Sequence, residues 1–305
     1  MVKIFSALFL CLLSSGVYAA SITGTAGTAA FDFLKISQGA RAVAMGDSYT
    51  GVSDDISALY WNQAGIAQNT AHTLAASHAL WFDGISRYYV GYAMPSSRLG
   101  AFGASVNYVS VGGIEKRTGD TDTYSAASVW NMAAALAWAK SFSDRLSLGG
   151  GLKLIVENLD TEQENGIAVD LGGLYRVSGG TTLGLCLQNI GVQMPASGDA
   201  DFPPVILRAG AARQFLGDKL LLASDGSYGL IDNSAYLTIG GEYRIGSVFR
   251  PRAGYKYRLN NTNLEGLSGA AAGFGLTYKN YRLDYAITPF GDLGITHRLD
   301  FTVTL

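Results

Sequence analysis

The chain has 305 residues, of which 22 are Lys or Arg, 24 are Asp or Glu and 3 are His, for a formal charge of -2. Charged residues reach only 15%, against about 25% in ordinary soluble domains, while 48% of residues are hydrophobic and there are 39 Gly, 17 Tyr, 13 Phe and 4 Trp. This excludes a polar disordered chain and a strongly basic nucleic-acid binder. The length admits one large domain or two ordinary ones.

The N-terminus predicts an export signal. Lys3 supplies a positive start, Ile4 to Gly16 is an apolar run, and Val17, Tyr18 and Ala19 suit signal peptidase. Residues 1–19 are therefore expected to be a signal peptide, cleaved after Ala19 or Ala20. The run falls short of the ~20 residues that span a bilayer. Leu10 before Cys11 argues against a lipoprotein site. Cleavage leaves Cys186 as the single cysteine, so no intrachain disulfide is expected.

Residues 20–70 lack two-residue alternation. They carry Ala40-Arg41-Ala42-Val43-Ala44-Met45-Gly46 and Asp54-Asp55-Ile56-Ser57-Ala58-Leu59-Tyr60-Trp61-Asn62. Asp54 or Asp55 is placed to cap a short helix running toward Trp61, with Gly65 ending it. Such a segment in front of a barrel suits a plug inside it; the alternative is a periplasmic extension that tethers the barrel.

From residue 71 to 305 alternation recurs between turn signals. Fourteen strands are expected near 72–81, 86–95, 100–111, 126–141, 145–158, 165–177, 181–191, 204–215, 218–226, 235–245, 248–258, 267–279, 281–289 and 294–305. At the end of the chain Ile295, His297, Leu299, Phe301 and Val303 share one face, opposite Thr296, Arg298, Asp300 and Thr302. Separators such as Ser178-Gly179-Gly180 and Lys279-Asn280 alternate with longer polar spans such as Gly112–Tyr124, the pattern of a transmembrane barrel. Within Val129–Lys140, Trp130 and Trp138 would reach two interfacial aromatic girdles. A soluble sandwich or solenoid would carry Lys, Glu and Asp on its second face. Here that face is mostly Gly, Ala, Ser and Thr, and closing the sheet in lipid satisfies every backbone polar group. The expected fold is thus all-β: a transmembrane antiparallel barrel of about 14 strands with a mostly non-strand N-terminal hatch.

The charges on the second face of the late strands are Glu242, Arg244, Arg250, Arg252, Lys256, Arg282, Asp284, Arg298 and Asp300. Because charge is costly against lipid, they are expected to face the lumen. There they would hold the hatch or guide a head group, or simply pair across strands.

The run Phe33-Leu34-Lys35-Ile36, Gly39 to Gly46, Thr50, Val52, Asp54-Asp55 and Ser57 to Asn62 with Ala64-Gly65 resembles the N-terminal signature of the PorV/PorQ family, related to FadL-type outer-membrane transport proteins. Ser77-His78 with Trp81-Phe82-Asp83, then Gly166 to Arg176, and Leu185 with Gln188 to Gly191, resemble the family's strands. The signature positions are Gly39, Arg41, Met45, Gly46, Asp54, Asp55, Tyr60, Trp61, Asn62, Ala64 and Gly65. The resemblance implies a fourteen-stranded barrel with a hatch in the outer membrane of a Gram-negative-type bacterium. It also implies a non-enzymatic role in moving hydrophobic or amphipathic small molecules. The alternative it implies is a type IX secretion protein that binds and shuttles secreted proteins. Its partners would be outer-membrane lipid, with a small-molecule ligand or secreted proteins and secretion components; no nucleic acid is expected. The Asn-Pro-Ala motif of FadL-type hatches corresponds here to Asn62-Gln63-Ala64, without the rigid turn of proline.

Gly46-Asp47-Ser48 is similar to a hydrolase nucleophile motif, which needs a nearby His and an orienting acid. Only His72, His78 and His297 exist, and His297 falls on the apolar face of its strand. No enzyme activity, metal or cofactor is expected. Asp120, Asp122, Asp199 and Asp201 read as solvated loop acids rather than a calcium site.

Overall fold

A computed structural model describes residues 29–82, 84–117, 125–194, 201–260 and 268–305. The expected signal segment with its cleavage site, together with Cys11, Asp83, Asp120, Asp122 and Asp199, lies outside the described residues.

The strands are β1 (Thr73–Leu80), β2 (Ile85–Ser96), β3 (Gly100–Val111), β4 (Glu115–Lys116), β5 (Ser125–Ala126), β6 (Val129–Ser141), β7 (Leu146–Leu159), β8 (Glu162–Val177) and β9 (Thr181–Met194). They continue as β10 (Ile206–Phe215), β11 (Leu220–Gly229), β12 (Ala235–Tyr243), β13 (Phe249–Arg258), β14 (Ala270–Tyr278), β15 (Tyr281–Pro289) and β16 (Ile295–Thr304). β4 and β5 pair only with each other, in the loop between β3 and β6. The other fourteen form one closed antiparallel barrel, sealed where β1 meets β16 with Thr73 opposite Thr304 and Leu80 opposite His297. Each of the fourteen expected spans corresponds to one barrel strand, the ends differing by up to 3 residues.

Burial follows the alternation. On β12, Ile239 is 61% exposed on the outside, while its neighbour Thr238 is 4% exposed and faces inward. This is the pattern of a lipid-facing apolar wall around a filled lumen. Trp130 and Trp138 both point outward at opposite ends of β6. Trp130 closes a row of rings across β1, β2, β3 and β6: His78 on Tyr88 at 4.7 Å, Tyr88 to Tyr108 at 6.4 Å, and Tyr108 to Trp130 at 6.0 Å. At the other end, Trp138 Nε1 donates to the Leu99 carbonyl at 2.9 Å, beside the β2–β3 turn. These positions match interfacial girdles. No helix of the described residues is long and apolar enough to cross a membrane; the strands make the crossing.

Fourteen strands enclose more room than strand side chains alone can fill. Residues 29–72 occupy that room. They contain the helices Ala40–Ala44 and Ala58–Trp61 and the 3-10 turns Asp32–Lys35 and Gln63–Gln68. The expected cap is not formed by either aspartate: Ser57 is the N-cap and its side chain makes no capping bond, while Asp55 Oδ1 accepts from the Ser57 amide at 2.9 Å in the turn before the helix. The expected stop is displaced: the helix ends at Trp61, and Gly65 falls inside the next 3-10 turn. Gly65 serves close packing, since a Cβ there would meet the Ser53 backbone and the Ala58 side chain.

The hatch packs on small inward residues of the wall. Ile56, Leu59 and Ile66 meet Ala75, Ala93, Ala101 and Ala139. Phe31, Phe33 and Leu34 meet Val109, Ala133 and Ala168. Met45, Tyr49 and Trp61 meet Ala212 and Ala223. Where even alanine is too large there is glycine: Gly240 and Gly254 lie flat against the Met45 backbone, in space a Cβ would occupy. The abundance of glycine and alanine on the inner face is therefore a consequence of the plug.

Candidate functional site

The hatch joins the late strands through a closed ring of alternating charge. Arg41 grips Glu242 of β12 with two parallel bonds, Nε to Oε2 at 2.9 Å and Nη2 to Oε1 at 3.0 Å. Glu242 accepts from Arg252 of β13 at 2.6 Å, and Arg252 donates to Asp284 of β15 at 2.7 Å. Asp284 accepts from Arg282 at 2.7 Å, and Arg282 reaches Asp55 of the hatch at 2.5 Å. Asp55 lies 3.3 Å from Arg41, which closes the ring. Arg41 also bonds Asp54 and, at 2.9 Å, the Tyr49 hydroxyl. Three guanidiniums and three carboxylates each meet two partners of opposite sign, which is what lets so many charges leave water. Burial alone would push the Asp55 carboxyl up; Arg282 and Arg41 override it and hold it well below the usual carboxylate range.

Three more wall residues hold the hatch on either side of the Ala40–Ala44 helix. Arg298 donates to the Ser37 carbonyl at 2.5 Å, Asp300 accepts from the Ala40 amide at 2.5 Å, and Lys256 bonds Asp47 at 2.7 Å. Burial raises the Asp47 carboxyl, but Lys256 and the Ser37 hydroxyl outweigh it and leave it below its ordinary value. Gly39 and Gly46 take φ of 87° and 63°, and at Gly46 a side chain would also strike the backbone of Tyr255.

Two expected members stand apart. Arg244 lies past the end of β12 in the exposed turn and takes no part in the lumen, because the strand stops at Tyr243. Arg250 is half-buried on the inner face of β13, outside the ring of bonds.

The far wall holds the hatch by residues that the late-strand pattern does not flag. Gln63 donates to Asp170 of β8 at 2.6 Å and to the Leu59 carbonyl at 3.2 Å. Asp170 is itself bonded by Lys153 of β7 at 2.7 Å. Here β8 and β9 slip register between Val169 and Leu171, and Asn189 takes φ of 60°. The bulge turns both Gln188 and Asn189 inward. Gln188 then bonds the Tyr60 carbonyl and Arg208, whose guanidinium lies 4.9 Å from the Trp61 ring centre. Asn62 donates to the carbonyls of Thr50 and Gly173, both at 3.1 Å, and accepts from Ala64 at 3.2 Å. Trp61 donates to Gln38 at 2.7 Å and Tyr60 to Leu34 at 3.0 Å. Asp225 of β11 accepts from the amides of Tyr49 and Thr50 at 2.8 and 2.6 Å. Arg87 of β2 donates to the Ile36 and Ser37 carbonyls at 2.7 and 2.5 Å. A lone polar residue on an otherwise small-residue inner face was the available signal for Lys153, Asp170, Arg208 and Asp225.

Two cavities flank the hatch. One of about 320 Å³ opens toward the longer loops and is lined by Ile36, Val43, Trp81, Tyr236, Phe290 and Leu293 together with Lys35, Lys256, Arg258, Arg298 and Asp47. One of about 380 Å³ opens toward the short turns, between Asp54, Gln68, Arg176, Thr182 and Gln214. Ser48 bonds Thr238 at 2.9 Å. The histidines lie instead against tyrosines of the outer wall: His72 by Tyr92, His78 by Tyr88 and His297 by Tyr285. Ser48 thus has no histidine base beside it. No cluster of three metal-ligating side chains occurs among the described residues.

A model of the family described as type IX secretion system protein PorV matches residues 20–221, which cover the hatch and the wall as far as the start of β11. No protein of curated function matches the sequence. Among solved structures, the toluene transporter TodX of Pseudomonas putida aligns with a TM-score of 0.68 at 14% identity, over 88% of this chain and 99% of that one. The Ralstonia pickettii toluene transporter TbuX aligns with a TM-score of 0.63 at 14% identity, over 88% and 98%. A Pseudomonas aeruginosa FadL homologue aligns with a TM-score of 0.62 at 12% identity, over 88% and 98%. At these identities the likeness is one of fold alone.

Proposed function

The chain belongs to the family of type IX secretion system protein PorV, and from that premise we propose that it serves transport across the outer membrane by binding a hydrophobic or amphipathic small molecule above a displaceable hatch. The observation that carries this reading is the 320 Å³ cavity, where aromatic and aliphatic side chains of hatch and wall meet a few cations. With every strand paired around the barrel and the lumen occupied, passage requires the hatch to shift. The polar cavity on the short-turn side is where a shifted hatch would release the molecule. The solved barrels of the same form described as toluene transporters support this reading. Residues 1–19 as a cleaved signal, residues 20–70 as the moving unit and residues 71–305 as the fixed wall belong to the same proposal.

A second reading is favoured by the family itself: a component of type IX secretion that binds exported proteins and hands them on. Native mass spectrometry of the protein purified from membranes separates the two. Co-isolated small apolar or amphipathic molecules, lost when Val43→Trp fills the cavity, are the result expected for transport. A stoichiometric secreted polypeptide with an empty cavity would replace this reading with the second.

A further inference from the structure

The cations around the loop-side cavity are not equally satisfied. Lys35 is 2.8 Å from Asp32 and 3.1 Å from Asp232, and Lys256 is 2.7 Å from Asp47, so both carry carboxylate partners. Arg258 and Arg298 line the same cavity, and neither pairs with a carboxylate among the described residues. Arg298 is only 6% exposed, and its Nε is buried without a hydrogen-bond partner. Arg258 also has an unpartnered buried Nε, and its guanidinium rests 5.7 Å from the Tyr236 ring centre. Behind Arg298, Arg87 donates to the same Ser37 carbonyl and keeps its own Nη2 unpartnered. The carboxylates nearest Arg298 are bonded elsewhere, Asp300 to the Ala40 amide and Asp47 to Lys256.

Guanidinium N–H groups buried without a partner are costly. Two guanidiniums at one cavity, neither held in an ion pair among the described residues, match a dianion, and their planar forks suit phosphate oxygens. A phosphomonoester carries about -1.5 to -2 charges near neutral pH. The surrounding Trp81, Tyr236 and Phe290 offer apolar surface for whatever the phosphate is attached to. The volume is at the low end for ligand sites, enough for a head group and the first part of a chain.

The geometry points to this cavity as a site for the phosphomonoester head of an amphiphile, with Arg298 and Arg258 on the phosphate and the apolar chain against Trp81, Tyr236 and Phe290. This rests on the reading of the cavity as the ligand's entry site and names the class of ligand it takes.

The test is calorimetric titration of the full-length protein in a neutral detergent with hexyl phosphate, hexanoate, hexanol and inorganic phosphate. Hexyl phosphate is expected to bind at least ~10-fold more tightly than hexanoate or hexanol, and to weaken steeply as salt is raised. Arg258→Gln should lower its affinity by ~10-fold or more. That variant lies at the cavity wall and leaves the hatch bonds intact; Arg298→Gln, which also removes the Ser37 bond, should do the same if the hatch stays seated. Inorganic phosphate competing at equal concentration would support the phosphate site and make the free ion its ligand; competition only by the alkyl ester would make it a lipid or other amphiphile head. Equal binding of hexanol would overturn the inference while leaving the cavity as an entry site. Equal or tighter binding of hexanoate would overturn the phosphate assignment. Binding of none of the probes would overturn both this inference and the entry-site reading.

Discussion

Glu242→Ala should loosen the hatch by about 3–5 kcal/mol, the cost of leaving a buried charge without its partner. Arg41 and Arg252 both lean on this carboxylate, at 2.9 and 2.6 Å, and both are buried. Its removal opens the ring at the one strand residue that bonds the hatch arginine among the described residues. Asp284 still holds Arg252 and Asp55 still holds Arg282, so the barrel wall should survive. The expected readout is amide hydrogen exchange: residues of the helix Ala40–Ala44 should exchange at least ~10²-fold faster, by the usual tenfold per ~1.4 kcal/mol. Strands β6 and β7, which lie away from the ring, should not change. Glu242→Gln keeps the shape and some hydrogen bonding and should fall between the two. Unchanged exchange in Glu242→Ala would mean that the ring decorates the hatch without holding it.

The second large effect concerns contact rather than charge. Gly254→Val should leave a formed barrel whose lumen leaks. Valine suits a strand, but a Cβ at 254 would occupy the space of the Met45 and Gly46 backbone. Overpacking of this kind forces backbone shifts, and here the part free to move is the hatch. The Lys256–Asp47 bond, two residues along the same strand, would be pulled apart with it. In planar bilayers the native protein should be nearly silent and Gly254→Val should conduct. Gly226→Val is the control, because a Cβ there meets nothing within 4 Å. A silent Gly254→Val would place the seal elsewhere.

Strand number and facing are legible in the sequence because each lipid-crossing segment must alternate, and the cost of exposing charge to lipid keeps the code clean. That is why Arg298 and Asp300 can be placed inward from residues 295–304 alone. Ends are less legible: Arg244 continues the alternation of β12 by spacing, yet the chain has already turned away after Tyr243. The hatch shows itself by lacking alternation, and the docking of Asp55 against Arg282 depends on a strand 227 residues away. No local pattern encodes such pairing. The β9 bulge is hidden for a similar reason: Gln188 and Asn189 both point inward, which breaks the period of two and can be seen only when β8 lies beside it. Gln63 shows the limit of reading by family motif. The missing proline takes away a rigid turn, and in its place the amide gains a bond to Asp170 across the lumen.

If the hatch seals the lumen, it must shift for a molecule to pass. A reversible tether tests this directly. Ser48 and Thr238 face each other with their hydroxyl oxygens 2.9 Å apart, one on the hatch and one on β12. In a Cys186→Ser background, Ser48→Cys with Thr238→Cys should form a disulfide that pins the hatch to the wall. Uptake of a small amphiphile into proteoliposomes should fall to background when the pair is oxidised and recover on reduction, with the single-cysteine variants unaffected. Uptake that continues undiminished through the oxidised protein would show that passage does not need the hatch to leave β12.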